Sequence, residues 1–237
     1  MKARGLAITL CLGFLASAIA SPAKAAEPTD GQVRERLDDI AFCLEEGTAA
    51  ADRWWYAWYG IYTGLTVGQA AVALAVSDHG TRVDMAVGAF SSSLGAVPLG
   101  LFPLQARFAA ARLRALPEAT AAERRAKLVA AEDLLRSTAE EERFGRSWVS
   151  HLLGNGVALA SGIVLAVGYE RPASGITSFV GGVVLTELQI LTQPTRAIED
   201  WSRYRRHGPR RHDPRSEQEA SWLLVPQPGG IGVAGVF

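Results

Sequence analysis

Cysteine is scarce in this chain. There are two, Cys11 and Cys43. Cys11 falls in an apolar stretch with the layout of a secretory leader, so the exported chain is expected to keep Cys43 alone. That excludes an intramolecular disulfide and any multi-cysteine metal site. A lone thiol on a helix reads as a small apolar filler. Histidine is also sparse, with four residues. His207 and His212 lie with Asp213 beside Arg210 and Arg211, whose positive charge opposes a metal ion. Gly-x-Ser-x-Gly, phosphate-loop, CxxC and HExxH patterns are all missing. No nucleophile, base and orienting group can be assembled. The expectation is therefore no enzyme activity, no metal and no cofactor.

An excess of basic charge is missing too. Lys+Arg and Asp+Glu are both 24. Residues 1–25 hold three of the bases and no acid, which leaves 21 basic against 24 acidic side chains, a net of −3. A nucleic-acid binder would carry the opposite balance, so no nucleic-acid partner is expected.

The first 25 residues read MKARGLAITLCLGFLASAIASPAKA. Lys2 and Arg4 precede a short apolar run, and Ala23-Lys24-Ala25 fits a small-x-small cleavage site. The reading is a signal peptide over 1–25, cleavage after Ala25, and export to the cell envelope.

Charge is also absent from four long runs. Residues 54–76, WWYAWYGIYTGLTVGQAAVALAV, have none, and neither do 85–106 or 147–169; residues 172–195 contain only Glu187 and no other charge. A 23-residue helix is ~35 Å long, enough to cross a hydrocarbon core of ~30 Å. Aromatic rings cluster at Trp54 to Tyr59, and Trp148 begins the third run, as at a membrane interface. Small residues recur every four positions in each run, for example Gly60, Gly64 and Gly68, a spacing that lets helices pack in lipid.

The expected organisation follows. Residues 26–53 form an amphipathic N-terminal helix, with Val33, Leu37, Ile40, Leu44 and Thr48 on one face. Residues 54–106 form a first hydrophobic hairpin, with SDHGTRVD as its break. Residues 107–146 are a charged helical linker, divided near Pro117. Residues 147–195 form a second hydrophobic hairpin, and 196–237 a basic helix and a tail. The tail SWLLVPQPGGIGVAGVF suits an irregular segment or short β-hairpin. Arg53-x-Trp55 matches Arg146-x-Trp148, and Pro103, Ala106, Arg112 and Arg114 match Pro194, Ala197, Arg203 and Arg205. The fold class read from this is all-α: a helical membrane bundle of two tandem repeated hairpins.

One pattern opposes the membrane reading. Four spans would put 19 Lys and Arg of residues 26–53, 107–146 and 196–237 on the exported side, against the positive-inside tendency. An exported soluble bundle, periplasmic and bound to an apolar partner, is the competing reading. Membrane lipid is the expected partner, with a protein partner or homo-oligomer as further candidates.

The best polar constellation is a candidate buried cluster of His151, Asn155, Glu187 and Gln189. His151 and Asn155 are four apart and share a helical face. An antiparallel partner turning near Arg171 places Glu187 level with Asn155 and Gln189 nearer His151. Glu187 is expected to point into the bundle, because a carboxylate exposed to lipid is costly. Two roles fit: a network locking two helices, or a proton or solute site. The function expected is a structural or interaction role in the envelope membrane, with a transporter or channel component as the alternative.

Overall fold

The computed structural model describes residues 27–209 together with the backbone of 221–227 and 230–236. The proposed leader and its cleavage site lie outside the described residues. Among the described residues seven α-helices follow in order: α1 (Asp30–Ala75), α2 (His79–Leu101), α3 (Ala106–Arg114), α4 (Ala121–Gly145), α5 (Trp148–Ile163), α6 (Pro172–Leu191) and α7 (Arg196–His207). A π-helical turn, Val164–Gly168, extends α5. Two strands, β1 (Ser221–Gln227) and β2 (Gly230–Val236), pair antiparallel with Ser221 opposite Val236.

The helices sort into two layers by sequence character. The amphipathic ones pack together. The N-terminal half of α1 contributes Val33, Leu37, Ile40, Cys43 and Leu44 to a core completed by Ala109, Ala110 and Leu113 of α3, Leu128, Ala131 and Leu135 of α4, and Tyr204 of α7. Their starts are set by local chemistry. Thr29 and Thr120 each form a capping box, with Gln32 and Glu123 respectively, which satisfies otherwise orphaned N–H groups. Ion pairs cross this charged bundle: Arg124 to Asp30 at 2.8 Å, Arg107 to Asp52 at 2.6 Å, Lys127 to Glu118 at 2.6 Å and Arg203 to Asp39 at 3.2 Å.

The apolar helices form two antiparallel hairpins beyond this bundle, one from the C-terminal half of α1 with α2, the other from α5 with α6. Three helical stretches are long and apolar enough to cross a membrane: His79–Arg114, Trp148–Gly168 and Pro172–His207.

Two elements differ from the sequence reading. The boundary between 53 and 54 is not a break, since α1 runs through it as one helix of 46 residues. No proline interrupts 30–75, and Ala49 to Ala51 propagate the helix past Gly47 at little cost. The break at SDHGTRVD shrinks to three residues, 76–78. Asp78 caps α2 by accepting from the Thr81 N–H at 2.7 Å, so His79 to Asp84 become its first turns.

Candidate functional site

His151 and Asn155 of α5 do meet Glu187 of α6. The His151 Nδ1 lies 2.9 Å and 3.1 Å from the two carboxylate oxygens, and Asn155 Nδ2 donates to Oε1 at 2.8 Å. Their placement differs from the expectation in two respects. The cluster is half-buried, not buried: Glu187 keeps 32% of its side chain exposed and stands on the outer seam of the hairpin. The reason lies in helical rotation. Gly154 faces Thr186, Ala158 faces Gly182 and Gly162 faces Gly175 across the α5–α6 contact, so Glu187, the residue after Thr186, is turned to one side. It is also only one turn from the end of α6 at Leu191, where a carboxylate can reach toward polar surroundings.

Gln189 is not part of this cluster. It lies on another face of α6 and joins the two hairpins. Tyr62 OH donates to Gln189 Oε1 at 2.8 Å, Trp54 Nε1 donates to the Gln189 carbonyl at 3.2 Å, and Trp58 Nε1 donates to Thr192 Oγ1 at 3.0 Å. At the opposite end the hairpin turns are clamped. Arg171 forms a two-pronged pair with Asp84, at 2.9 Å and 2.7 Å, and Ser174 donates to the same carboxylate at 2.9 Å. Between these ends Ser91 of α2 meets Ser161 of α5. Sequence reasoning took the aromatic rings as interface anchors and missed them as donors between hairpins. For Asp84 and Arg171 a signal existed, since the two opposite charges flank the two turns.

The space enclosed by these contacts is a crevice of about 990 Å³. It runs the length of the hairpins, from Asp84, Leu165 and Ser174 to Phe102, Glu141 and Gln193, and takes lining from α1, α2, α5 and α6. His151, Asn155 and Glu187 do not line it.

A second group of carboxylates sits where the charged bundle meets the hairpins. Neither α3 nor α7 has a side-chain cap of its own. Two adjacent residues of α4 supply the acceptors. Glu141 accepts from the Gln105 N–H at 2.7 Å, and Glu142 accepts from the Ile198 N–H at 3.1 Å. Glu142 is 3% exposed. Burial pushes its pKa up to about 7, against the opposing effect of the Ile198 and Ala197 N–H groups and reinforced by the nearby charges of Asp200 and Glu141. Burial also raises Glu141.

Among the described residues no group of three or more His, Cys, Asp or Glu side chains is placed to hold a metal ion. No family model matches the chain, and no curated protein or solved structure is similar to it.

The seam cluster gives a direct test of its role as a helix lock. Glu187→Gln should be tolerated, because the amide oxygen keeps an acceptor for Asn155 and His151. Glu187→Leu should lower the thermal midpoint of the detergent-solubilised protein by a few degrees, because both donors lose their partner. Equal midpoints for the two variants would show that the cluster holds nothing together.

Proposed function

We propose that this is an exported envelope protein, an integral membrane helical bundle with a structural or interaction role and no catalytic activity. A single observation carries the proposal: the hairpins show an apolar surface that none of the described residues covers. Leu74 is 89% exposed, Val167 74% and Phe102 77%, and no more than 17% of the apolar 18-residue segment within any of the three stretches is buried. Soluble proteins rarely leave contiguous apolar patches of this extent. The C-terminal half of α1, residues 54–75, supplies a fourth crossing of about 33 Å. Arg107, paired with Asp52, lies 3.7 Å over the Trp55 ring, at the level where a headgroup region would begin. The many ion pairs of the charged bundle reduce the field that its 16 described arginines and lysines would otherwise exert, which eases the conflict with charge asymmetry.

The two halves read as copies of one unit, larger than a hairpin. At a spacing of 91 residues the capping Thr29 matches Thr120, and the buried Leu37, Ile40, Leu44, Gly47 and Ala51 match the buried Leu128, Ala131, Leu135, Thr138 and Glu142. At the same spacing Ala106 and Leu113 match Ala197 and Tyr204, again buried in both copies. Matching burial along four helices supports duplication more strongly than matching letters do. The paired strands near the C-terminus belong to neither copy.

Carbonate washing of membranes followed by detergent extraction tests the proposal. The protein should stay in the pellet through carbonate and leave it only with detergent. Release by carbonate would favour the soluble bundle docked on an apolar partner. A transporter or channel component is the second reading, and the polar side chains along the crevice favour it.

A further inference from the structure

We propose that the crevice between the two hairpins binds a single-chain amphiphile, with its neutral hydrogen-bonding head at Thr186 and Gln193 and its hydrocarbon chain running toward the hairpin turns. The inference rests on the membrane reading only for the source of the ligand.

Two polar side chains line the crevice near the charged bundle and are almost fully enclosed: Thr186 is 9% exposed and Gln193 7%. Among the described residues neither side chain has a hydrogen-bond partner, although Gln189 between them is engaged by Tyr62. The Thr186 side chain packs beside Gly154 and the Gln193 amide beside Gly145, yet the polar atoms of both keep access to the crevice. Both groups are therefore free to hydrogen-bond a ligand at this end, where such bonds gain from low surrounding polarity. Glu141 lines the same mouth, while Arg146 donates to the Gln193 carbonyl at 3.0 Å. With both signs of charge at hand, a neutral head such as a hydroxyl, ester or amide fits better than a bare ion.

The remaining lining is chiefly apolar, with Leu65, Leu94, Leu99, Val157 and Leu185 along it. Its shape favours a slender occupant. From Ser174 to Leu191, α6 covers about 26 Å. Spread over that length, about 990 Å³ open to the centre of a water molecule gives a mean cross-section of roughly 38 Å², and adding the water's own radius on each side gives a void roughly 10 Å wide. A helix with its side chains, about 10–12 Å across, would fill or exceed that width. An extended hydrocarbon chain enters with room to spare, and its burial supplies the affinity.

Gly181 provides the test. It lines the crevice, and nothing lies within 4 Å of a Cβ built on it. A Phe at this position projects into open space and blocks the chain without disturbing α5. The probe is a brominated monoacylglycerol, read by quenching of tryptophan fluorescence, because Trp54 lines the same crevice. The detergent-solubilised wild type should show saturable quenching. Gly181→Phe should weaken it about tenfold or more with an unchanged thermal midpoint. Ser178→Phe, one turn away, repeats the test should the first variant fail to fold. Gln193→Leu should weaken binding of the monoacylglycerol and leave a headless brominated alkane unaffected. Identical quenching in wild type and both filled variants would overturn the proposal.

A brominated phospholipid in vesicles forms the second arm. Gly181-dependent quenching there identifies the bilayer as the source, and quenching by the free amphiphile alone identifies a soluble ligand. Carbonate extraction is scored separately, so a protein that washes off membranes yet shows Gly181-dependent quenching keeps the site and loses the membrane reading.

Discussion

Gly175→Val is expected to separate α5 from α6 and to cost about 3 kcal/mol or more. A Cβ on Gly175 would stand 2.5 Å from the Gly162 carbonyl oxygen and 2.7 Å from the Ala166 Cβ. A Cβ on Gly162 would stand 2.9 Å from the Gly175 oxygen. Each glycine therefore packs against the backbone of the other helix. A flexible side chain can swing aside, but a carbonyl in a helix moves only with the helix. The added methyl groups must push the two axes apart, which loses the close packing contacts across the seam. The Ala158–Gly182 and Gly154–Thr186 contacts lie on the same seam and would open with it. The thermal midpoint in detergent should fall sharply, and less protein should survive solubilisation. Gly68→Ala is the control: nothing lies within 4 Å of its Cβ, and alanine is the better helix former by about 1 kcal/mol, so that variant should equal or exceed wild type. An unchanged midpoint for Gly175→Val would refute the close packing of this hairpin.

The contrast between Gly68 and Gly175 also shows where sequence reading stops. Both belong to rows of small residues at four-residue spacing, and the rows look alike as letters. In α5 and α6 they form the closest helix contact of the hairpins, whereas Gly60, Gly64 and Gly68 on α1 face open space. Spacing shows that a face is smooth, but not which surface meets it. Helical periodicity was legible where it depended on local properties: the apolar runs, the break at Pro117 and the amphipathic face of Val33 to Leu44. So was the pairing of Asn155 with Glu187, because a hairpin turn of known position sets the register of its two arms. Rotation about each helix axis was not legible. A change of one residue position turns a side chain by about 100°, enough to move Glu187 to the seam and Gln189 to the other hairpin. Contacts between hairpins, such as Tyr62 to Gln189 and Arg171 to Asp84, needed the relative placement of two units that no single arm specifies. The long α1 was missed for a different reason: a change from charged to apolar sequence alters what surrounds a helix without ending it.

The two carboxylates at the junction lead to the second large expectation. Helices α3 and α7 both restart after a proline, Pro103 and Pro194, and both begin without a cap of their own. Glu141 and Glu142 satisfy those starts from α4, so a carboxylate at the end of each hairpin helps to hold it to the charged bundle. For Glu142 this role is combined with deep burial. Its pKa in the folded protein is about 7, against an ordinary value of 4.5. The native state therefore keeps the proton to higher pH than the unfolded chain does. Stability falls as pH rises from about 4.5 through about 7, and the full penalty, on the order of 3 kcal/mol, is present above that range. The charged groups that act on it are Asp200 on α7 and Glu141 on its own helix; Asp200 is in turn paired with Arg196, which also pairs with Glu46 of α1. Asp200 and Glu141 oppose ionisation of Glu142 and add to the effect of burial. Glu142→Gln keeps an oxygen for the Ile198 N–H and cannot ionise. It should match wild type near about pH 5 and exceed it near about pH 8, so that the difference between the two midpoints widens with pH. Glu142→Leu removes the acceptor as well as the charge, and should be less stable than Glu142→Gln at every pH by about 1–3 kcal/mol, because the start of α7 is then buried without a partner. Parallel pH profiles for wild type and Glu142→Gln would mean that the carboxylate titrates as an exposed one does, and that α7 is not held by a buried acid.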